Sequence, residues 1–331
     1  MAEPVRSILF VEFMGGIGDL LLALPAIHAL ARTHPAAHLR VLTLSPGHVL
    51  LARDPHVAEV VPQASTDGPA LHDAVVRQLA RGRPDLAVTT NRSHGVPALL
   101  ERAARRAVTN LWRAPPPDEL VDLRYLRLLA AEGVIDPAYA ALPPRVVLDP
   151  DEVAAARPRI AALPHPPAVL LPDAGMAVKR WPLAHWTRLV SRLAAAGWSP
   201  AVLTLHDELA EPLVRAGAPR LPIADLRSAA ATFAAAAERS GVAVGGDTGP
   251  ARLATAAGLR LVGLFGPTLG VRYGVRPRLG VNLQGLPGCP ERRPSAITEQ
   301  VCWWSADCPL SPAGPACMAD LGVEAVAAAV G

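Results

Sequence analysis

Residues 7–19 read SILFVEFMGGIGD, and this stretch decides the fold. Residues 7–13 are a run of apolar and β-branched side chains, the composition of a strand buried on both faces. Residues 14–19 supply a Gly-rich turn, and the apolar pattern that follows predicts a helix over about 20–32. A strand, a glycine turn and a helix in succession open a parallel α/β sheet, which binds its ligands at the carboxyl ends of its strands. Gly15, Gly16 and Gly18 let the backbone approach such a ligand closely. Asp19 sits at the helix N-terminus, where an aspartate alone reads as a cap or a dipole partner.

Outward from this stretch the rhythm continues. Strands are predicted at 39–44, 57–61 and 85–90 with helical stretches between them, which implies a parallel sheet. Pro115 to Pro117 and the stretch 142–150 interrupt the pattern. A polar helix candidate, 151–162, ends before Pro164, Pro166 and Pro167, so the domain boundary is placed there. The expected division is an N-terminal Rossmann-like domain with its linker, residues 1–163, and a C-terminal Rossmann-like domain, residues 164–331. In the second half, strands are predicted at 168–171, 200–205, 242–245 and 260–265, with helices at 183–196, 208–216, 228–239 and from about Gly249. The tail from Gly288 reads as loop ending in a short helix at 323–330, and is expected to pack back on the N-terminal domain. The whole is an α/β protein of two doubly wound halves facing across a cleft.

Composition narrows the function classes. The 331 residues are 51% hydrophobic and 18% charged, which excludes disorder and suits buried parallel strands. A net charge of +3 is too slight for a nucleic-acid footprint and points to small anions instead. No window reaches the roughly 18 apolar residues of a membrane span. Glu12, Asp19, Pro25 and His28 interrupt the apolar N-terminus, which argues against a span and a signal peptide. The expectation is a cytoplasmic protein with at most peripheral membrane contact.

Two loops of the second half carry the anion chemistry. Residues 172–182 read PDAGMAVKRWP. Pro182 suits a first helical position, so Lys179 and Arg180 project from the loop before it and can neutralise a diphosphate, although a solvated basic pair has the same sequence. Residues 244–250 read VGGDTGP and continue into Ala251, Arg252 and Leu253. Here a strand enters a glycine turn and Pro250 opens a helix whose free N–H groups face an anion. Thr248 offers a hydroxyl, and Asp247 is expected to accept from sugar hydroxyls rather than touch phosphate. A simple cap explains Asp247 and Thr248 but not the glycines. A dinucleotide fingerprint in the first loop fails on two counts: Leu21 stands where the third glycine belongs, and the second strand ends in Thr43-Leu44-Ser45 without an acidic residue.

In order and spacing, Gly15-Gly16-x-Gly18-Asp19, Lys179-Arg180-Trp181-Pro182, Asp247-Thr248-Gly249-Pro250 and Phe265-Gly266-Pro267-Thr268 resemble the heptosyltransferases of glycosyltransferase family 9 over nearly the whole chain. The resemblance implies a GT-B architecture and inverting transfer of a sugar, typically heptose from ADP-heptose, to an acceptor hydroxyl. It implies Asp19 as general base, which inversion requires on the acceptor side. Donor contacts are then expected from Gly16, Gly18, Gly175, Lys179, Arg180, Glu208, Asp247, Thr248, Gly249, Pro250 and Arg252. Acceptor contacts are expected from Asn91, Arg92 and His94, for which ordinary loop polarity is the competing explanation. The nucleotide sugar is a co-substrate, and neither cofactor nor metal is expected. The acceptor implied is a glycan such as lipopolysaccharide core, or a small glycoside.

Two departures bear on the donor. Pro172-Asp173-Ala174-Gly175 stands where the family commonly has Pro-Gly-Ala-Ser, and Arg252 stands where it commonly has His. A non-catalytic nucleotide-sugar-binding protein and a nicotinamide oxidoreductase remain as alternatives. Cys289, Cys302, Cys308 and Cys317 lack the paired spacing of a zinc ribbon, so reduced thiols are expected, with structural zinc left open. Asp149-Pro150-Asp151 reads as a turn and helix cap rather than a metal-binding pair.

Overall fold

A computed structural model describes residues 4–113, 116 and 118–331; Pro115 and Pro117, expected to interrupt the pattern, lie outside the described residues. The chain divides into two units, Met1–Pro115 with Val121–Val147, and Pro116–Leu120 with Leu148–Gly331. The fold is α/β, with one wholly parallel sheet in each unit.

In the first unit, β1 (Ser7–Glu12), β2 (His38–Leu44), β3 (Glu59–Gln63), β4 (Leu86–Thr89) and β5 (Arg106–Val108) lie in the spatial order β3-β2-β1-β4-β5. The pairing sets Glu12 opposite Thr43 and Val11 opposite Thr89. Strand order reverses at β1, which opens the ligand-binding crevice of such sheets beside its carboxyl end. The helix after it, α1 (Ile17–Thr33), is buried without a break from Leu20 to Ala31, a run that is apolar on every side except at His28, which is held by Asp54 at 2.6 Å. It is joined by α2 (Gly68–Leu79), α3 (Val96–Ala103) and α4 (Val121–Ala131). Leu9, Val11, Leu42, Val75, Ala87 and Leu100 form the core between sheet and helices.

The second unit repeats the scheme. Its strands, β6 (Pro167–Leu171), β7 (Ser199–Val202), β8 (Val242–Gly246), β9 (Arg260–Phe265) and β10 (Gly280–Gln284), lie in the order β10-β9-β8-β6-β7. The reversal falls between β6 and β8. Its helices are α5 (Pro150–Ala161), α6 (Leu183–Ala195), α7 (Asp207–Arg215), α8 (Leu226–Glu238), α9 (Gly249–Ala256), α10 (Gly270–Tyr273), α11 (Ala316–Ala319) and α12 (Val323–Val330).

The structure differs from the sequence expectation in four places. Helix α5 belongs to the second unit, so the division falls at Leu148 and not at 163. Its N-terminus carries a capping box of Asp149 and Glu152, and it is tied to α8 by Glu152–Arg227 and by Arg157–Glu238 at 2.7 Å. The end of the tail belongs to the second unit. Val323, Val326 and Val330 of α12 join the core of the second unit with Leu189 and Leu193 of α6, because α12 buries one apolar face there. Strand β7 stops at Val202, and its Pro200 is tolerated because β7 is an edge strand. The edge strands β5 and β10 were not expected: β5 has three residues, and β10 mixes polar with apolar side chains.

Glu152 both closes the α5 cap and holds the largely buried Arg227. Glu152→Ala is therefore expected to cost the protein about 2–3 kcal/mol in urea unfolding.

Candidate active site

The second unit builds a charged cluster at its strand reversal. β8 ends in Gly245-Gly246, and a Cβ at Gly245 would lie 3.0 Å from the Cβ of Leu171 and 3.3 Å from that of Ala251, so a glycine lets α9 approach the sheet. Thr248 caps α9, its hydroxyl accepting from the Ala251 N–H at 3.4 Å, and Pro250 occupies the first turn. Between the two glycines and the cap stands Asp247, whose side chain is 6% exposed. One carboxylate oxygen takes the Lys179 ammonium at 2.9 Å, the other pairs with Arg252, and Lys179 also reaches the Asp247 carbonyl at 3.3 Å. Burial alone would raise the Asp247 pKa, but the charges of Lys179 and Arg252 outweigh it and bring the group to about 2. Both oxygens of Asp247 are thus engaged by protein cations. In this structure Asp247 is the anchor of two cations.

Lys179 ends a 3-10 turn, Ala177–Lys179, after β6, and its ammonium lies 5.2 Å from the centre of the Trp303 ring. Trp303 is buried and packs with Val178 and Cys302. Sequence reasoning missed this residue because it lies in the loop-rich tail, far along the chain from the lysine it covers.

Arg180 serves a neighbouring group. Its Nε donates to the Ala174 carbonyl at 3.4 Å, and its charge acts on Asp173, which accepts the Thr204 hydroxyl at 2.7 Å. Burial raises the Asp173 pKa above the usual carboxylate value. Glu208, expected among the donor contacts, is largely exposed and lies 3.6 Å from His206. Asp173 is the better held carboxyl of this corner, and it is the residue that marks a departure from the family pattern. Gly175 has no heavy atom within 4 Å of a built Cβ, so no steric demand accounts for it here.

In the first unit, β1 runs into a turn held by two side chains. Asn91 accepts the Phe13 N–H at 2.8 Å, and Glu12 accepts the Met14 N–H at 2.8 Å. Asp19 lies in the first turn of α1. A Cβ on Gly15 would come within 2.5 Å of Asp19 Oδ2, so the missing side chain at Gly15 is what makes room for that carboxylate. A Cβ at Gly16 would meet nothing within 4 Å. A cavity of about 340 Å³ opens here, lined among others by Glu12, Gly15, Gly16, Thr43, Ser45 and Thr66. Glu12 is 1% exposed, and burial, then the nearby charge of Asp19, push its pKa up to about 8. Nothing beyond its charge within an apolar strand marked it in the sequence.

The three residues expected at the acceptor divide. Asn91 is 1% exposed and committed to the Phe13 backbone. Arg92 is exposed and lies over the Trp112 ring at 5.4 Å, with the indole N–H of Trp112 donating to the Thr90 carbonyl at 2.8 Å. His94 is exposed with φ of 58°, its carbonyl accepting from His72 Nδ1 at 3.1 Å. Of the three, Arg92 keeps an accessible charged group.

The four tail cysteines are free thiols, and burial pushes that of Cys317 up to about 12. Among the described residues no group of three His, Cys, Asp or Glu side chains is arranged to hold a metal ion. No helix among them is long and apolar enough to cross a membrane.

Two parallel α/β units, one with a cation pair at a helix N-terminus, have the paired Rossmann-like architecture and the anion site that nucleotide-sugar transferases share. The model of glycosyltransferase family 9 (heptosyltransferase) matches residues 101–291, more than half of the chain. The chain belongs to this family and is a glycosyltransferase. The matched span contains Lys179, Asp247 and Arg252, whereas Asp19 lies before it. Membership sets aside the nicotinamide oxidoreductase and the non-catalytic binding protein. No curated protein sequence matches the chain.

Solved structures share the fold over the whole length. A family 9 glycosyl transferase from Veillonella parvula superposes with a TM-score of 0.76 at 16% identity, covering 99% of this chain and 97% of its own. ADP-heptose LPS heptosyltransferase II of E. coli does so with 0.67 at 18% identity, covering 98% and 97%. The iron-containing dodecameric glycosyltransferase TibC of enterotoxigenic E. coli gives 0.64 at 14% identity, covering 100% of this chain and 76% of that one.

The native pKa of Asp247 lies below its ordinary 3.8, so its ionised form adds stability that is complete above pH 4 and lost as pH falls towards about 2. Asp247→Asn is expected to flatten this acid limb in urea unfolding between pH 2 and 5. At neutral pH it should cost roughly 3–5 kcal/mol, because two buried cations lose their common partner.

Proposed function

We propose that the protein transfers heptose from ADP-heptose to an acceptor hydroxyl with inversion, the second unit holding the donor and the first the acceptor. The observation that carries this is the placing of Lys179 and Arg252 on one buried aspartate at the N-terminus of α9. The three groups sum to one positive charge, to which the free N–H groups of the helix add their partial charge. A diphosphate leaving group gains negative charge as the glycosidic bond breaks, and fixed cations stabilise that charge more than they stabilise the bound donor. Protein cations supply the neutralisation for which other transferases employ a divalent metal, so the nucleotide sugar is the only co-substrate in this reading. The likeness to a heptosyltransferase named for ADP-heptose supports the choice of donor.

Asp19 takes the proton of the attacking hydroxyl. Its carboxylate lies over Gly15 at the carboxyl edge of β1, beside a cavity large enough for one sugar ring. Arg92, stacked on Trp112, offers a charge to an anionic acceptor such as a glycan acid or phosphate. The reaction belongs on the cytoplasmic side, with at most peripheral contact to a membrane and no nucleic acid.

Calorimetry with ADP, UDP, GDP and ADP-heptose tests the donor assignment. ADP-heptose is expected to bind selectively, and Lys179→Ala to weaken it by about 10–100-fold, the worth of a charge-assisted contact of about 1.5–3 kcal/mol. Selective binding of UDP or GDP would replace the donor, and no binding at all would remove the assignment of both loops.

Asp19→Asn and Gly15→Ala are expected to keep donor affinity while lowering transfer, Asp19→Asn by about 10²–10⁴-fold. Transfer is read as ADP release in the presence of a heptose-accepting glycan. Loss of donor binding in either variant would place Asp19 in the donor site.

A further inference from the structure

Glu12 is the last residue of β1 and almost wholly buried, yet it forms part of the wall of the cavity beside Gly15 and Gly16. Its Oε1 accepts the Met14 N–H, which fixes the carboxyl group against the turn that carries Asp19. Opposite it in the sheet stands Thr43 of β2, and Thr90 follows β4 on the other side. The hydroxyls of Thr43 and Thr90 are buried and face the Glu12 carboxyl. Thr43 also lines the cavity. A buried carboxyl flanked by two hydroxyls and open to a cavity forms a polar wall with hydrogen-bonding capacity left for a bound polar molecule.

We propose that Glu12 is the uncharged half of a carboxyl pair with Asp19, donating a hydrogen bond to an oxygen of the acceptor, or of water in its place, and leaving Asp19 as the one negative charge. The inference rests on Asp19 as the base. Two neighbouring carboxyl groups, one of them almost wholly buried, resist ionising together, so one proton stays with the buried group. Glu12 is that group, its pKa standing near 8 against an ordinary 4.5. The groups facing it are Thr43 from β2, Thr90 from the end of β4, the Met14 amide from the turn and Asp19 from α1. Ser45, on the same cavity wall, is bonded to His48 at 3.1 Å. A protonated Glu12 presents an O–H to a sugar oxygen, whereas an ionised one would repel that oxygen's lone pair and place a second charge beside the base. When Asp19 takes the acceptor proton, the pair becomes neutral, so the site never holds two buried charges.

The test is ¹³C NMR of the full chain labelled at the Asp and Glu carboxyl carbons, in wild type, Glu12→Gln and Asp19→Asn. A glutamate resonance titrating near pH 8 is expected in wild type, lost in Glu12→Gln and moved to lower pH in Asp19→Asn. Titration of Glu12 at its ordinary 4.5 overturns the proposal. Should Glu12→Gln not fold, the displacement in Asp19→Asn still reads the coupling between the two groups. The functional arm is ADP release from ADP-heptose with water as acceptor. Above pH 8 the wild-type rate is expected to fall about tenfold per pH unit, and that of Glu12→Gln to stay level over the same range. An alkaline fall kept by Glu12→Gln, or absent from wild type, overturns the role in the site. If wild type releases no ADP at any pH, water does not serve as acceptor and the carboxyl titration alone decides on Glu12, the donor assignment being read by calorimetry.

Discussion

One buried carboxylate organises the second unit. An ionised aspartate that is almost wholly withdrawn from water must be matched by positive charge, and Asp247 obtains it from two directions. Lys179 arrives from the loop after β6, and Arg252 from the first turns of α9 after β8. These are the two strands between which the sheet reverses its order, so the ion pairs link the edges of the crevice that the topology creates. Trp303 of the tail covers the lysine from a third direction. Removing Asp247 would release the helix, the loop and the tail from a common point.

The first unit handles charge in the opposite way. Its glycine turn contains no cation, and its two carboxyl groups stand close enough that the charge of Asp19 raises the pKa of Glu12. In the proposed reaction the fixed charges of the second unit serve a leaving diphosphate, and the first unit offers one negative charge to accept a proton. Each arrangement suits its half of an inverting transfer: fixed cations for the departing group, a single ionised base for the incoming one. The same topological device, a strand reversal with a glycine turn, serves both.

Much of this was legible in the sequence, because parallel strands buried on both faces announce themselves as apolar runs. β1, β2, β4, β6, β8 and β9 were found on that ground, and the glycine turns after β1 and β8 marked the crevices. β5 and β10 were not visible, since an edge strand is half exposed and needs no apolar run. The division of the chain was misplaced for a related reason. Prolines suggested a linker after α5, but membership is decided by side chains that meet across the fold, Glu152 with Arg227 and Arg157 with Glu238. Within the site, Lys179 and Asp247 were both named, yet their pairing was not, because sequence spacing carries no distance. Trp303 and Glu12 were beyond reach for the same cause: one acts through a fold contact with Lys179, the other through burial that only the sheet register creates.

Arg252 stands where the family commonly has histidine, and the geometry gives that difference a physical meaning. A neutral imidazole at this place would leave Lys179 and Asp247 to cancel, and the site would depend on the helix N-terminus alone for its positive character. Arginine stays protonated at every pH the cell reaches, so the cluster keeps one net positive charge without depending on a titrating ring. It also lets a single carboxylate hold both cations in place, with Lys179 on one oxygen and Arg252 on the other. Arginine at this position therefore adds fixed positive charge to the cluster on which the proposed donor binding rests, and makes that charge independent of pH. In the proposed reaction the pH dependence then falls to the carboxyl groups of the first unit, Glu12 and Asp19.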